Sequence, residues 1–444
     1  MALFARRKIQ DSIEACAGII PDQAFKKLIP ELNSKSENSL PTEWEIMITA
    51  AVARSCPVEY EPDLGGTSRG DLLIRPGGTD KAGCLVEITT ISDRSMHKKN
   101  PYDQISTAIR RKLLKMGCPS SAYSIEVPGE TEGEYGNARM KLHLGTGHAK
   151  DLFDQDFREF ARCIKTNPSA QKEHHWQGPN LDIKVIFNPN APFHGGGHPS
   201  YTTPYSPTKN PLYKALKSKC SQLSNTGHDG PCGLIICDGG CSLLTNTLDA
   251  TGGAASLHSI MLQHFSNSSR LSFVLVIYAE LPLPTMLNGM RRERNLKQKI
   301  FLRTDACQLS KNTLDVLKTL PKILPRPLLT GENAANCYKN KWEDDPRHGR
   351  HGSMTTTNRS IQISARAVLD MLAGTETPEQ FFAGYSRSRS SAGNQFLAHQ
   401  IKGRLIESVQ LVKGEDDDDI MEFRFGEPDM AVREFQLPAQ PRPE

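Results

Sequence analysis

The chain reads as a mixed α/β protein, and three observations predict that class. Helix-spaced and strand-like patterns alternate from residue 39 to residue 325, which argues for a sheet covered by helices. Two apolar runs, 233–238 (GLIICD) and 272–280 (SFVLVIYAE), are short and rich in β-branched and aromatic residues, as sheet strands are. The 37% apolar content of the 444 residues is modest but enough for real cores at this length. On a soft prior of ~150 residues per domain, two or three domains are expected.

The elements follow in order. Residues 1–38 read as two short helices ending in a polar run, the first amphipathic through Ile9, Ile13 and Cys16. Residues 39–150 read as a compact block. Thr42 is placed to cap a helix over 43–54, with Trp44, Met47, Ile48 and Ala51 as its stripe. Strands follow at 58–63, 71–75 (DLLIR) and 84–90 (CLVEITT), the last two flanking a breaker-rich loop. A helix over 100–116 and a strand near 124–127 complete the block. Residues 151–325 form a second α/β region, with helices near 151–164, 212–223 and 257–265 and a strand at 181–188. Residues 326–359 read as a linker. Residues 360–444 read as a small α+β unit. In it Ser364 caps a helix, Pro378 opens a second, 394–403 is a third, and 405–412 and 420–425 form a hairpin. No internal repeat is present.

Charge and cysteine usage narrow the functional classes. A net charge of +4 permits a nucleic-acid partner without requiring one. No run approaches the ~20 apolar residues of a membrane span, and residues 1–20 carry too many charges for a secretory leader, so a cytoplasmic setting is expected. Eleven scattered cysteines fit reduced thiols there. Cys232, Cys237 and Cys241, with Cys220 and His228, lack zinc-ligand spacing and read as core packing. His194 and His198 flank three glycines and read as loop, and Asp238-Gly239-Gly240 reads as a tight turn. The acidic run 415–419 reads as a solvated turn. Lys214, Lys217, Lys219, Arg291, Arg292, Arg294, Lys297 and Lys299 are candidates for a phosphate-contacting surface. No phosphate-binding GxxxxGK[ST] loop, nucleophile elbow or dinucleotide fingerprint occurs, so any ATP motor must belong to a partner.

Asp71 and Glu87 carry the sharpest chemical signal. Antiparallel pairing of their strands would bring one acid from each side by side, with Leu85, Glu87 and Thr89 sharing a face. An acid inside LVEIT is unfavourable to bury unless a cation or partner compensates it. Two such carboxylates are what Mg²⁺ or Mn²⁺ needs, because these hard ions keep most of their waters. Glu45 and Glu61 are candidates for a third carboxylate.

The segment from Glu59 to Ile74, with Asp71 inside it, followed by Leu85-Val86-Glu87-Ile88-Thr89, resembles the core of the PD-(D/E)xK nuclease superfamily. That resemblance implies a restriction-endonuclease-like mixed sheet flanked by helices, metal at Asp71 and Glu87, and phosphodiester hydrolysis. Gly70 stands where the family has proline, and Thr89 where it has its lysine. In this superfamily the lysine can come from the next helix, which makes Lys112 the candidate and Lys98 and Lys99 its alternates. Residues 210–219 (NPLYKALKSK) and 420–429 (IMEFRFGEPD) resemble accessory regions of bacterial phage-defence and restriction-type proteins.

The expectation is therefore a Mg²⁺- or Mn²⁺-dependent endonuclease acting on DNA in prokaryotic defence, with Asp71 and Glu87 on metal and Lys112 orienting water or phosphate. The alternative is a degenerate module of the same fold that binds nucleic acid or a partner without cutting, as sensor or scaffold. A co-encoded defence protein such as an ATPase and a second copy of the chain are the protein partners expected.

Overall fold

Residues 44–52 (WEIMITAAV) are apolar on almost every side, so a helix made from them belongs in the interior rather than on a surface. The computed structural model describes residues 3–34, 38–77, 83–119, 122–134, 138–145, 149–191, 195–202, 205–245, 254–268, 270–280, 295–303, 309–327, 355–374, 395–413 and 419–432. The chain divides into two compact units, Met1–Asp344 and Asp345–Glu444.

In the first unit α1 (Arg6–Ala15) and α2 (Asp22–Asn33) pack on α3 (Ser39–Ala53), whose Trp44 is fully buried. The helix starts earlier than Thr42, whose hydroxyl donates to Glu31 Oε2 (2.9 Å) instead of capping. Residues 1–38 are thus no separate segment. Glu43 of α3 is buried and accepts the backbone N–H groups of Leu3 and Phe4, both at 2.7 Å, which pins the chain start onto the helix.

The strands β1 (Val58–Tyr60), β2 (Leu72–Ile74) and β3 (Cys84–Ile91) follow as an antiparallel meander. The chain then leaves the sheet. It builds α4 (Arg94–Lys99), α5 (Tyr102–Lys115), β4 (Tyr123–Glu126), β5 (Gly129–Glu132), β6 (Arg139–Leu142), α6 (Gln155–Thr166), β7 (Lys172–Gly178), β8 (Leu181–Phe187) and β9 (Gly195–Gly197). These have their own sheet, β7-β8-β4-β9, and their own core around Ile109, Phe157, Trp176 and Val185. Residues 195–197 of the glycine-rich loop form β9, parallel to β4; His194 lies outside the described residues.

The chain returns through α7 (Pro211–Ser224) to β10 (Cys232–Asp238). After the short α8 (Ser242–Thr245) and α9 (Leu257–Asn267), β11 (Phe273–Glu280), β12 (Asn295–Leu302) and α10 (Lys311–Ile323) complete the unit. The main sheet has the order β1-β2-β3-β10-β11-β12, with β3, β10 and β11 parallel and the outer pairs antiparallel. It is a mixed sheet with helices on both faces: α1, α2, α3 and α10 share one core, and α7 and α9 the other. The expected division at 150 cuts across this sheet, because β3 and β10 pair along their whole length. Pairing of distant segments outweighs sequence proximity here.

Gly233 faces Phe273 directly across the β10–β11 pair, and a methyl group on it would sit 1.9 Å from the ring. Phe273 is fully buried and has nowhere to move. Gly233→Ala is therefore expected to cost about 1–3 kcal/mol by overpacking, read as a lower urea midpoint with an unchanged slope.

In the second unit β13 (Thr355–Thr356), β14 (Ser360–Ser364), β15 (Ile406–Val412) and β16 (Ile420–Phe425) form an antiparallel sheet of order β13-β14-β16-β15. The hairpin read from sequence is β15–β16. The helices α11 (Ala365–Leu372) and α12 (Gln395–Ile401) accompany it, with Ile361, Ile363, Val368 and Phe425 as a small core. The unit begins before 360, since β13 lies in the stretch read as linker. The helix expected at Pro378, Arg291, Arg292, Arg294 and residues 415–418 lie outside the described residues. No helix among the described residues is long and apolar enough to cross a membrane.

Candidate active site

Register places the acids. The pair Leu72↔Val86 puts Asp71 opposite Glu87, and Tyr60↔Leu72 puts Glu61 opposite Asp71, a pairing extended by the Glu61 N–H donating to the Asp71 carbonyl (2.8 Å). Glu61, Asp71 and Glu87 thus form one row across three strands. Leu73 and Leu85, two residues along from Asp71 and Glu87, pack in the core that contains α7, so these acids point to the α7 face. Val86 and Ile88 belong to the opposite core, under α3.

On that face a lysine meets them. Lys219 Nζ lies 2.7 Å from Glu87 Oε2 and 3.0 Å from Gln222 Oε1. Helical spacing explains why. Leu212, Leu216, Cys220 and Leu223 form the buried stripe of α7, and Lys219 sits at its margin, where a long side chain can cover apolar surface and still reach inward. Asp71 Oδ2 accepts the N–H of Ile88 at 2.6 Å, so its carboxylate is fixed beside β3. Glu87 has no exposed side-chain surface, and its Oε1 is buried without a hydrogen-bond partner when the pair is ionised. The two carboxyls are close enough to hydrogen-bond when one holds a proton.

The electrostatics follow from the geometry. Burial pushes the Glu87 carboxyl up to about 8, with the Asp71 charge adding to the effect and Lys219 opposing it. Asp71 is raised as well, again mainly by burial, against the pull of Lys219 and the Ile88 N–H. Burial disfavours the charge on Lys219, but Glu87, Asp71 and Glu45 outweigh it and raise the ammonium's pKa. Glu45 of α3 is raised to about 7 by burial, and its Oε1 accepts the Tyr60 hydroxyl at 2.5 Å. Glu61, at a left-handed φ of 42°, adds its charge to those acting on both Glu45 and Asp71. Around one lysine the site therefore gathers more acid than the lysine can balance.

These upward shifts have a sign. Between the ordinary carboxylate range and about 8, the folded protein holds protons that the unfolded chain has released. The site's contribution to stability is greatest below that interval, falls as pH rises through it, and is constant above. Urea midpoints of the metal-free protein should show this as a wild-type loss between pH 6 and pH 9 that is smaller in Asp71→Asn. Equal slopes for the two proteins would contradict it.

Lys112 is elsewhere. Its helix α5 packs in the separate core, and its Nζ stands 5.6 Å from the centre of the Phe153 ring. Lys98 and Lys99 lie on α4 and are exposed. The helix that faces the acids is not the next one in sequence, because residues 92–210 intervene. Tyr60 and Gln222 carry no sequence signal as site residues, and Lys219 is marked by sequence only as one of the basic residues of a candidate phosphate-contacting surface. Among the described residues no group of three or more His, Cys, Asp or Glu is arranged to hold a metal; Glu45 is engaged by the Tyr60 hydroxyl, and Glu61 stands opposite Asp71 at the end of β1.

The other candidates take structural places. Cys220, Cys232, Cys237 and Cys241 are buried. Asp238 Oδ1 accepts the Gly240 N–H (2.7 Å), and its carbonyl accepts Trp44 Nε1 (2.9 Å), so it ties a turn to α3. Lys214 and Lys217 are exposed on α7. No protein-family model, curated protein or solved structure matches the chain.

Proposed function

We propose that this chain is a divalent-cation-dependent nuclease acting on DNA, built on a restriction-endonuclease-like core of α3, β1, β2, β3, α7 and β10. The observation that carries this reading is the meeting of Asp71 and Glu87 with Lys219 on the α7 face of the sheet. The resemblance at residues 59–89 leads one to expect two acids and a lysine, the lysine coming from the next helix in sequence; α7 lies beyond that helix, so its lysine departs from the expected position. Lys219 fills that role in place of Lys112.

The residues fit a Mg²⁺ or Mn²⁺ ion. Glu87 Oε1 is a buried acceptor lacking a donor, both carboxyls are held above their ordinary range, and two carboxylates suffice for an ion that keeps its waters. Asp71 and Glu87 would hold it. Bound there, such an ion lowers the pKa of water and neutralises charge building on a phosphate. The Lys219 ammonium supplies a fixed positive charge for the phosphate oxygens or the attacking water. Lys214 and Lys217 are exposed on the same helix, on sides of it turned away from Lys219. The non-cleaving alternative rests on Thr89 standing where the lysine is expected; the ammonium that Lys219 brings to Glu87 favours the cleaving reading.

The test is incubation of supercoiled plasmid and of single- and double-stranded DNA and RNA oligonucleotides with Mg²⁺ or Mn²⁺. Cation-dependent nicking of DNA, absent in Asp71→Ala, is expected. Binding without cutting, or undiminished cutting by Asp71→Ala, would overturn the proposal.

A further inference from the structure

We infer that Gln222 is the positioning residue of this site, holding the Lys219 ammonium on Glu87 and tying it to the loop that delivers Asp71. The inference rests on the nuclease reading for its catalytic meaning, but not for its geometry.

The amide of Gln222 is used at both ends. Oε1 accepts from Lys219 Nζ (3.0 Å), while Nε2 donates to the carbonyl of Arg69 (3.0 Å), two residues before Asp71. This fixes the amide's orientation. Turned over, it would set an NH₂ against the ammonium and an oxygen against the Arg69 carbonyl, two repulsions in place of two bonds.

The same stretch of loop is joined to the end of α7 along its backbone. Ser68 Oγ donates to the Gln222 carbonyl (2.6 Å), and the N–H groups of Thr67 and Ser68 donate to the Asn225 carbonyl (2.8 and 3.1 Å). Gly66 lies so close that a Cβ on it would be 2.2 Å from that carbonyl. The loop and the helix therefore move as one body, and the Gln222 side chain is the only link in this group of contacts that also reaches the lysine. A neutral acceptor suits the place. It orients the ammonium without adding another negative charge to a site that already carries an excess.

The experiment has two readouts, the cleavage rate on DNA with Mn²⁺ and the rate at which acetic anhydride labels Lys219, followed by mass spectrometry with Lys214 as internal reference. In Gln222→Met, which keeps the volume and loses both bonds, Lys219 labelling should rise relative to Lys214 by roughly five-fold or more, and cleavage should fall by ~10-fold. Gln222→Met should have no further effect on cleavage in a Lys219→Met background, because the glutamine acts through the lysine. Gln222→Glu keeps an oxygen for Lys219 and loses the donor to Arg69, so labelling should remain low even if Gln222→Met does not fold. Unchanged labelling in a folded Gln222→Met, raised labelling in Gln222→Glu, or an additive loss of cleavage in the double variant would overturn the inference. Raised labelling in Gln222→Met beside a wild type that cuts nothing would sink the nuclease reading and leave the positioning role standing.

Discussion

Asp71→Asn is expected to abolish cation-dependent cleavage while making the metal-free protein more stable at alkaline pH. Loss of a ligand carboxylate removes several kcal/mol of charge stabilisation, which corresponds to ~10³-fold or more in rate. The opposite effect on stability comes from the same geometry. Asp71 and Glu87 face one another in one row of the sheet, both raised by burial, with Lys219 to offset only part of their charge. An asparagine still accepts the Ile88 N–H that the Asp71 carboxylate accepts, and it removes the repulsion. A merely structural acid would behave differently, since its loss would lower stability and activity together. Midpoints in urea at pH 9 beside nicking rates read both effects in one pair of proteins.

Lys219→Met should reduce cleavage by ~10²-fold or more, on the scale of losing one charge-stabilising donor from a preorganised site. Lys112→Met should leave it within about two-fold, because Lys112 stands over Phe153 in a different core. The contrast matters more than either value. If the lysine on α5 proved essential and the lysine on α7 dispensable, the assignment of α7 to the site would fail. Without Lys219 the buried Glu87 loses its cationic partner, so the pair should hold its proton to still higher pH in the absence of metal. The pH at which Mn²⁺ supports half-maximal cleavage should move upward accordingly.

Local pattern made much of this legible. Alternation in LVEIT assigned Glu87 to the face of Leu85, and the two strands around the 76–83 loop were enough to pair it with Asp71. The apolar runs at 233–238 and 272–280 are β10 and β11, two of the three parallel strands of the sheet. Long-range assembly was not legible. Nothing near Glu87 in sequence indicates that its neighbour on the sheet is β10, more than 140 residues on, or that α7 rather than α5 covers the pair. Lys219 stood out only as one of several basic residues on a helix face, because its distinction is where that helix lands. The strands β7 (KEHHWQG) and β12 (NLKQKIFL) escaped for a different reason: their charged and polar residues dilute the apolar signal of an edge.

A Mn²⁺ titration followed by electron paramagnetic resonance, with wild type and Asp71→Asn side by side at pH 8, tests the central assignment most directly. One bound ion per wild-type chain, lost or greatly weakened in the variant, is the predicted result. Equal binding by both proteins, or none by the wild type under conditions where it cuts DNA, would contradict it.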